Sequence, residues 1–352
     1  MAYQRNCVVV GYGHMGKKIA EVLFQLGFAS ILIDPILEVN KETGNVYSNI
    51  DDLPSEKAKH IKAWFVCTPT ATHLDVLNRI LSKYPYSRVM IEKPACKREQ
   101  VSQLLQATHN LTLENIWINN HYSECINLEI AINLLRKNAF RLKKIVIDFC
   151  KNRSTDIAIG RYIDEDFMLW GYEGFHMLYI VTQLISTTDA NDFINMQGEF
   201  KYFKGNDSQI SWVGEYGKLR SGLKILLRTS TDGSTFLQGF SKGILRANQR
   251  SRQVSILLED GTNLRLIFSE SREVQFEPSQ EYCFSWQRAD KGNKYEVWQE
   301  DNPLKKHIKR FIEGVNISSE STLRHGLKLT ERLSHMAERT YSGKRCNTFI
   351  YR

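Results

Sequence analysis

The chain has 352 residues, 42% of them hydrophobic and 24% charged, enough for about two domains with sizeable cores. No apolar run is long enough to span a membrane, so membrane-spanning functions are excluded. The net charge of +8 comes from basic residues spread along the chain. Their densest run, Lys305-Lys306-His307-Ile308-Lys309-Arg310, reads as the solvated face of an amphipathic helix, and no nucleic-acid partner is expected.

In chain order, Val8-Val9-Val10 is a run of β-formers that ends at Gly11-Tyr12-Gly13-His14-Met15-Gly16. Helical spacing follows at Ile19, Val22, Leu23 and Leu26. In this G-x-G-x-x-G order Gly11 permits the tight turn out of the strand. Gly13 lets the backbone approach a pyrophosphate, and Gly16 lets the helix lie close to the strand. The helix N-terminus then offers free N–H groups to the phosphates. A second strand, Ile31-Leu32-Ile33, ends in Asp34, where an acid would hold a ribose 2′-OH. Pro35-Ile36-Leu37 offers no cation for a 2′-phosphate, so NAD is expected ahead of NADP.

After a polar stretch and a helix at 55–62, strands are expected at 63–67, 88–91 and 115–119. Helices at 74–83 and 97–108 separate them. This alternation implies a parallel sheet whose strand ends converge on one crevice. Beyond residue 120 the pattern changes. A helix at 126–137, a strand at 144–150 and a helix at 168–186 precede strand-like runs at 199–203, 210–213, 223–228, 235–240, 253–258, 263–268 and 273–276. Asp232-Gly233 and Asp260-Gly261 are hairpin signals. Two helices, 303–313 and 319–341, close the chain. The reading is α/β overall: a Rossmann dinucleotide-binding domain over 1–120, and an α+β domain with a large, mostly antiparallel open sheet over 121–352. The seven cysteines contain no C-x-x-C, so buried thiols are expected, with no disulfide framework and no metal site. With the short polar N-terminus, they point to a cytoplasmic protein.

Three motifs carry a resemblance: the glycine fingerprint, Thr68-Pro69-x-x-x-His73, and Glu92-Lys93-Pro94 after the next strand. Together they resemble the Gfo/Idh/MocA oxidoreductases, named for glucose–fructose oxidoreductase, inositol dehydrogenase and a rhizopine-catabolism protein. Asn119-Asn120-His121-Tyr122 is similar to the family's crossing into its second domain, without the usual proline. Glu173-Gly174-Phe175-His176 falls where the family has D-x-G-x-H, and aligned there the family's Asp is Tyr172. The resemblance implies NAD(P)-dependent hydride transfer at a hydroxyl or carbonyl of a sugar, cyclitol or related metabolite. It also implies pairing into a homodimer or homotetramer through the open sheet.

On this reading the cofactor contacts Gly11, Tyr12, Gly13, His14, Met15, Gly16, Asp34, Thr68, Pro69, His73, Glu92 and Lys93. Lys93, beside the nicotinamide ribose and the reacting oxygen, supports proton transfer; its bland alternative is an ion pair with Glu92. His176 is the acid/base candidate, on a helix face shared with Tyr172, Glu173 and Tyr179. Tyr172 and Glu173 compete to orient it. Asn120, His121 and Tyr122 are substrate-side candidates. Arg153 and Arg161 would clamp an anionic or hydroxylated substrate, or lie on the surface. His73 would lie against the cofactor or sit in the first turn of its helix. The alternatives are reduction of an imine or linear tetrapyrrole, and a non-catalytic NAD-binding sensor or scaffold.

Overall fold

The computed structural model describes residues 6–37, 45–107, 115–160, 166–204, 210–235, 245–247, 249–268, 281–287, 294–314 and 319–341. The chain divides into two compact units, Met1–His121 with Leu304–Glu331, and Tyr122–Pro303 with Arg332–Arg352.

The first unit holds β1 (Asn6–Val10), α1 (His14–Gln25), β2 (Ala29–Ile33), β3 (Val46–Tyr47), α2 (Ser55–Ala58), β4 (Ile61–Val66), α3 (His73–Lys83), β5 (Val89–Ile91), α4 (Val101–Ala107) and β6 (Ile116–Ile118). The strands form one six-stranded sheet in the order β3-β2-β1-β4-β5-β6. Every pairing is parallel. That is the doubly wound arrangement, with the order reversing beside β1. The strands are short and apolar because both faces are covered: Val8, Val9, Phe65, Met90 and Ile116 are buried. Ile19, Val22 and Leu23 put the apolar stripe of α1 into the core with Phe65 and Trp117. The helix expected at 97–108 begins instead as a 3₁₀ turn, Arg98–Gln100.

The same core takes in a late segment. Ile308 and Phe311, from α9 (Pro303–Glu313), are fully buried in it. The Phe311 ring lies 5.7 Å from Phe65 and 5.3 Å from Trp117. Arg88 closes the end of α9 by donating to the Phe311 carbonyl at 2.9 Å. α10 (Ser319–Tyr341) follows, its residues up to Glu331 belonging to this unit.

The second unit holds α5 (Ile126–Lys137), β7 (Leu142–Lys151), α6 (Ser154–Ala158), α7 (Met168–Leu184), α8 (Thr187–Ile194), β8 (Glu199–Lys204), β9 (Ile210–Lys218), β10 (Lys224–Ser230), β11 (Arg250–Leu258), β12 (Asn263–Phe268), β13 (Glu281–Gln287) and β14 (Lys294–Glu300). Its eight-stranded sheet runs β14-β13-β12-β11-β7-β10-β9-β8. Among the described residues, only β7 and β10 pair in parallel in it. The hairpin expected at Asp260-Gly261 joins β11 to β12, and Gly261 has φ +82°. Residues 236–240 of the run expected at 235–240, and the run expected at 273–276, lie outside the described residues.

Side chains alternate across this sheet. Ile147, Phe149, Leu227, Val254 and Phe268 turn to the face carrying α5 and α7 and are buried there. The opposite face is mixed, with Val146 and Ile267 on it beside polar groups. Within β10 the period of two sends Ile225 and Leu227 to the helix side and leaves Leu226 on the other. Polar links occupy that side: Arg228 to Asp148 at 2.6 and 2.8 Å, Arg265 to Gln253 at 2.6 Å, and Ser255 to Asn263 at 2.9 Å.

Candidate functional site

The fingerprint loop is built as its glycines require. Gly11 has φ +88°, and a Cβ there would lie 2.7 Å from the Thr68 nitrogen. Its N–H donates to the Ile33 carbonyl at 2.8 Å, tying the loop to β2. A Cβ on Gly16 would collide with the Gly11 carbonyl oxygen, whereas one on Gly13 would meet nothing within 4 Å. Space is therefore left at Gly13, where a pyrophosphate backbone contact would be made. α1 starts at His14 with no side-chain cap and no acidic residue in its first turn. Its free N–H groups and partial positive charge suit an anion. His14 and Met15 form that first turn. Asp34 sits over the loop, accepting from the Tyr12 N–H at 2.7 Å and from the Ile36 N–H at 2.9 Å.

The ends of β4, β5 and β6 supply the neighbouring groups. Glu92 is buried, and burial pushes its carboxyl up, against the Lys93 charge and a hydrogen bond donated by Asn119 Nδ2. Lys93 itself is half-buried. His73 is buried in the first turn of α3, its ring between the carbonyls of Thr68 and Pro94 at 2.7 and 3.1 Å. Three buried polar atoms along this edge have no hydrogen-bond partner: Thr68 Oγ1, Asn119 Oδ1 and Asn120 Oδ1. Such atoms are rare in folded proteins and mark a place where a polar ligand completes the set. The open cradle at Gly13, the uncapped helix and these acceptors fit a dinucleotide. Gly11 to Gly16 and Asp34 would hold the pyrophosphate and adenosine ribose, and the Thr68, Glu92 and Lys93 region the nicotinamide end. The Asn120 N–H donates to His307 Nε2 of α9 at 3.4 Å. His121 closes the first unit.

In the second unit, α7 is buried nearly all round, from Trp170 to Leu184. His176 is 4% exposed, its ring centroid 4.5 Å from that of Tyr122. Tyr122 also packs on Phe149 and Phe268, and burial raises its phenol. One turn earlier, Glu173 accepts from Arg153 at 3.0 Å and from Arg252 at 2.6 Å. Arg153 also bonds Asp156 at 3.0 Å, and Asp156 pairs with Lys151 at 2.7 Å. The Arg153 guanidinium lies 3.9 Å from the centroid of the Tyr172 ring. Arg153 is thus a buried ion-pair member, 4% exposed, in the range where arginines are almost always partnered. The structure brings Tyr122, Arg153, Tyr172, Glu173 and His176 into one group. Arg161 lies outside the described residues. Arg252 was not read from the sequence. It lies 79 residues from Glu173 on β11, and only the β11–β7 register delivers it. Among the described residues no cluster of His, Cys, Asp or Glu is set to hold a metal ion.

The chain matches a family model, "Oxidoreductase family, NAD-binding Rossmann fold", over residues 5–113. No curated protein sequence matches it. Among solved structures it is similar to KijD10, a 3-ketoreductase from Actinomadura kijaniata in complex with TDP-benzene and NADP, at 12% identity and a TM-score of 0.68, over 98% of this chain and 99% of that one. It is also similar to UDP-N-acetylglucosamine 3-dehydrogenase GnnA from Acidithiobacillus ferrooxidans, at 14% identity and 0.62, over 95% and 96%. A third is GenD2 from gentamicin A biosynthesis in complex with NAD, at 13% identity and 0.64, over 97% and 95%. At such identities these likenesses establish the fold. Over residues 5–113, therefore, the nucleotide-binding unit is similar to that of the Gfo/Idh/MocA oxidoreductases, an NAD-binding Rossmann fold.

Proposed function

We infer that this protein transfers a hydride between nicotinamide and a carbinol or carbonyl carbon of a sugar, cyclitol or sugar-derived metabolite. The carrying observation is Lys93 at the end of β5, half-buried beside the buried Glu92–Asn119 pair. The sugar-modifying activities named for KijD10 and GnnA support the substrate class.

The nicotinamide, when bound, accepts or gives the hydride. Lys93 then polarises the reacting oxygen and handles its proton, the general acid/base role that a cation beside a developing alkoxide serves. His176 is the second proton-handling group. In oxidation the C–H hydride and the O–H proton leave and a carbonyl forms; reduction reverses both. Tyr172 replaces the carboxylate that the family places there. A phenol near neutral pH donates as well as accepts. It lacks the charge that would favour imidazolium, so His176 is not biased toward the charged form from that side. The stacking of Tyr172 on Arg153 favours one second reading, a non-catalytic NAD-binding sensor. Crystals with NAD, soaked with sugars, cyclitols and nucleotide sugars, test the first reading. Substrate density beside Lys93 supports it, and a site that takes cofactor alone favours the sensor.

NAD is the expected cofactor in preference to NADP. A carboxylate at the end of β2, as Asp34 is, would repel a 2′-phosphate, and repulsion with lost hydrogen bonds amounts to about 2–3 kcal/mol, or roughly 30- to 150-fold. Fluorescence titration with NADH and NADPH measures the gap. Equal or tighter NADPH binding refutes the assignment, and Asp34→Ala should narrow the difference.

The protein is also proposed to self-associate through the sheet face opposite α5 and α7. Its mixed polar and apolar character suits an isologous contact. Light scattering at micromolar concentration should find an oligomer; a monomer sinks this proposal.

A further inference from the structure

We propose that His73 is held as an imidazolium and acts as a positioning residue for the nicotinamide end of the cofactor site. The proposal rests on the reading that places nicotinamide beside Lys93. Both ring nitrogens of His73 face backbone carbonyl oxygens, Nε2 that of Thr68 at 2.7 Å and Nδ1 that of Pro94 at 3.1 Å. A carbonyl oxygen only accepts, so each nitrogen must donate. A neutral imidazole carries one N–H and would turn a lone pair toward the other oxygen. The doubly protonated ring satisfies both contacts.

Burial opposes that charge, since His73 is 1% exposed. Two hydrogen bonds made to the charged form favour it, and charge-assisted bonds are about twice as strong as neutral ones. The ionisable groups on the surrounding segments are Asp75 on its own helix, Cys67 beside Thr68, and Glu92, Lys93, Cys96 and Lys97 around Pro94. Burial raises Cys67 and Glu92, which favours their neutral forms.

The two carbonyls belong to the two segments that matter. Thr68 is the residue whose nitrogen abuts Gly11 of the fingerprint loop. Pro94 directly follows Lys93. One buried side chain therefore ties the end of β4, which braces the pyrophosphate turn, to the end of β5, which carries Lys93.

The test uses the full-length protein labelled with ¹⁵N-histidine. Long-range ¹H–¹⁵N correlation should find both His73 ring nitrogens protonated at neutral pH, the peaks being assigned by their loss in His73→Gln. A His73 with one unprotonated nitrogen overturns the proposal. Fluorescence titration with NADH should find binding weakened about tenfold in His73→Gln, the loss of one hydrogen bond's worth of positioning. Unchanged NADH affinity in a folded His73→Gln protein overturns the positioning role. Neither readout uses turnover, so an inactive or reassigned Lys93 leaves both outcomes readable.

Discussion

Lys93→Met and His176→Ala should each lower kcat about 10²-fold or more once a substrate is in hand, while NADH binding survives. Methionine keeps the length and apolar stem of Lys93 and removes its charge and protons. The Glu92–Asn119 hydrogen bond beneath does not involve the lysine. His176 is packed on Tyr122, so the alanine variant should retain its fold but lose some stability from the emptied space. Steady-state kinetics beside an NADH titration separates the cases. A fall in kcat with unchanged NADH affinity marks proton handling, and lost affinity marks damage to the site. Tyr172→Phe removes only a hydroxyl and should cost roughly tenfold. If both large substitutions leave turnover intact, the catalytic assignment fails.

Glu173→Ala should cost about 3–5 kcal/mol of stability, the scale for breaking a buried ion pair. Glu173 is 3% exposed, and its Oε1 accepts from two guanidiniums, those of Arg153 and Arg252. Removing it leaves the buried Arg153 and the half-buried Arg252 facing one another, with Asp156 still paired to Arg153. Glu173→Gln keeps an acceptor and loses the charge, so it should fall between wild type and alanine. Denaturant unfolding followed by far-UV circular dichroism measures the change. A loss below about 1 kcal/mol would mean that the cluster is solvated and that Glu173 is free to orient His176. The stability loss in turn predicts that an activity defect in Glu173→Gln follows from displaced arginines rather than from a direct contact with the imidazole.

Much of the architecture was legible because its signals are local. The fingerprint glycines need particular backbone conformations, and Gly11 at φ +88° with Thr68 against it explains why no other residue serves. The helices Ile126–Lys137, Pro303–Glu313 and Ser319–Tyr341 fall where the apolar period placed them. Other elements escaped. α8 is short, and its cap, Ser186 accepting from Asp189 N–H, reads in sequence as an ordinary polar loop. β13 (Glu281–Gln287) and β14 (Lys294–Glu300) were not read from the sequence either. α7 is buried on nearly all sides, Glu173 and His176 included, so burial does not separate its apolar face from the one these polar residues share.

The sequence by itself determined the parallel nucleotide-binding sheet, the uncapped helix at its crevice, and the residue types that meet there. Those depend on conformational limits of glycine and on spacing within about twenty residues, and both are written along the chain. Tertiary structure alone decided the partners. It paired Arg252 with Glu173 across 79 residues and set His73 between two carbonyls. It seated Phe311 against Phe65 and Trp117, and sent Ile225 and Leu227 to the helix side of their sheet. Each of these follows from strand register and from which face of a helix meets which sheet. Long-range packing sets both, so no local run of residues encodes them.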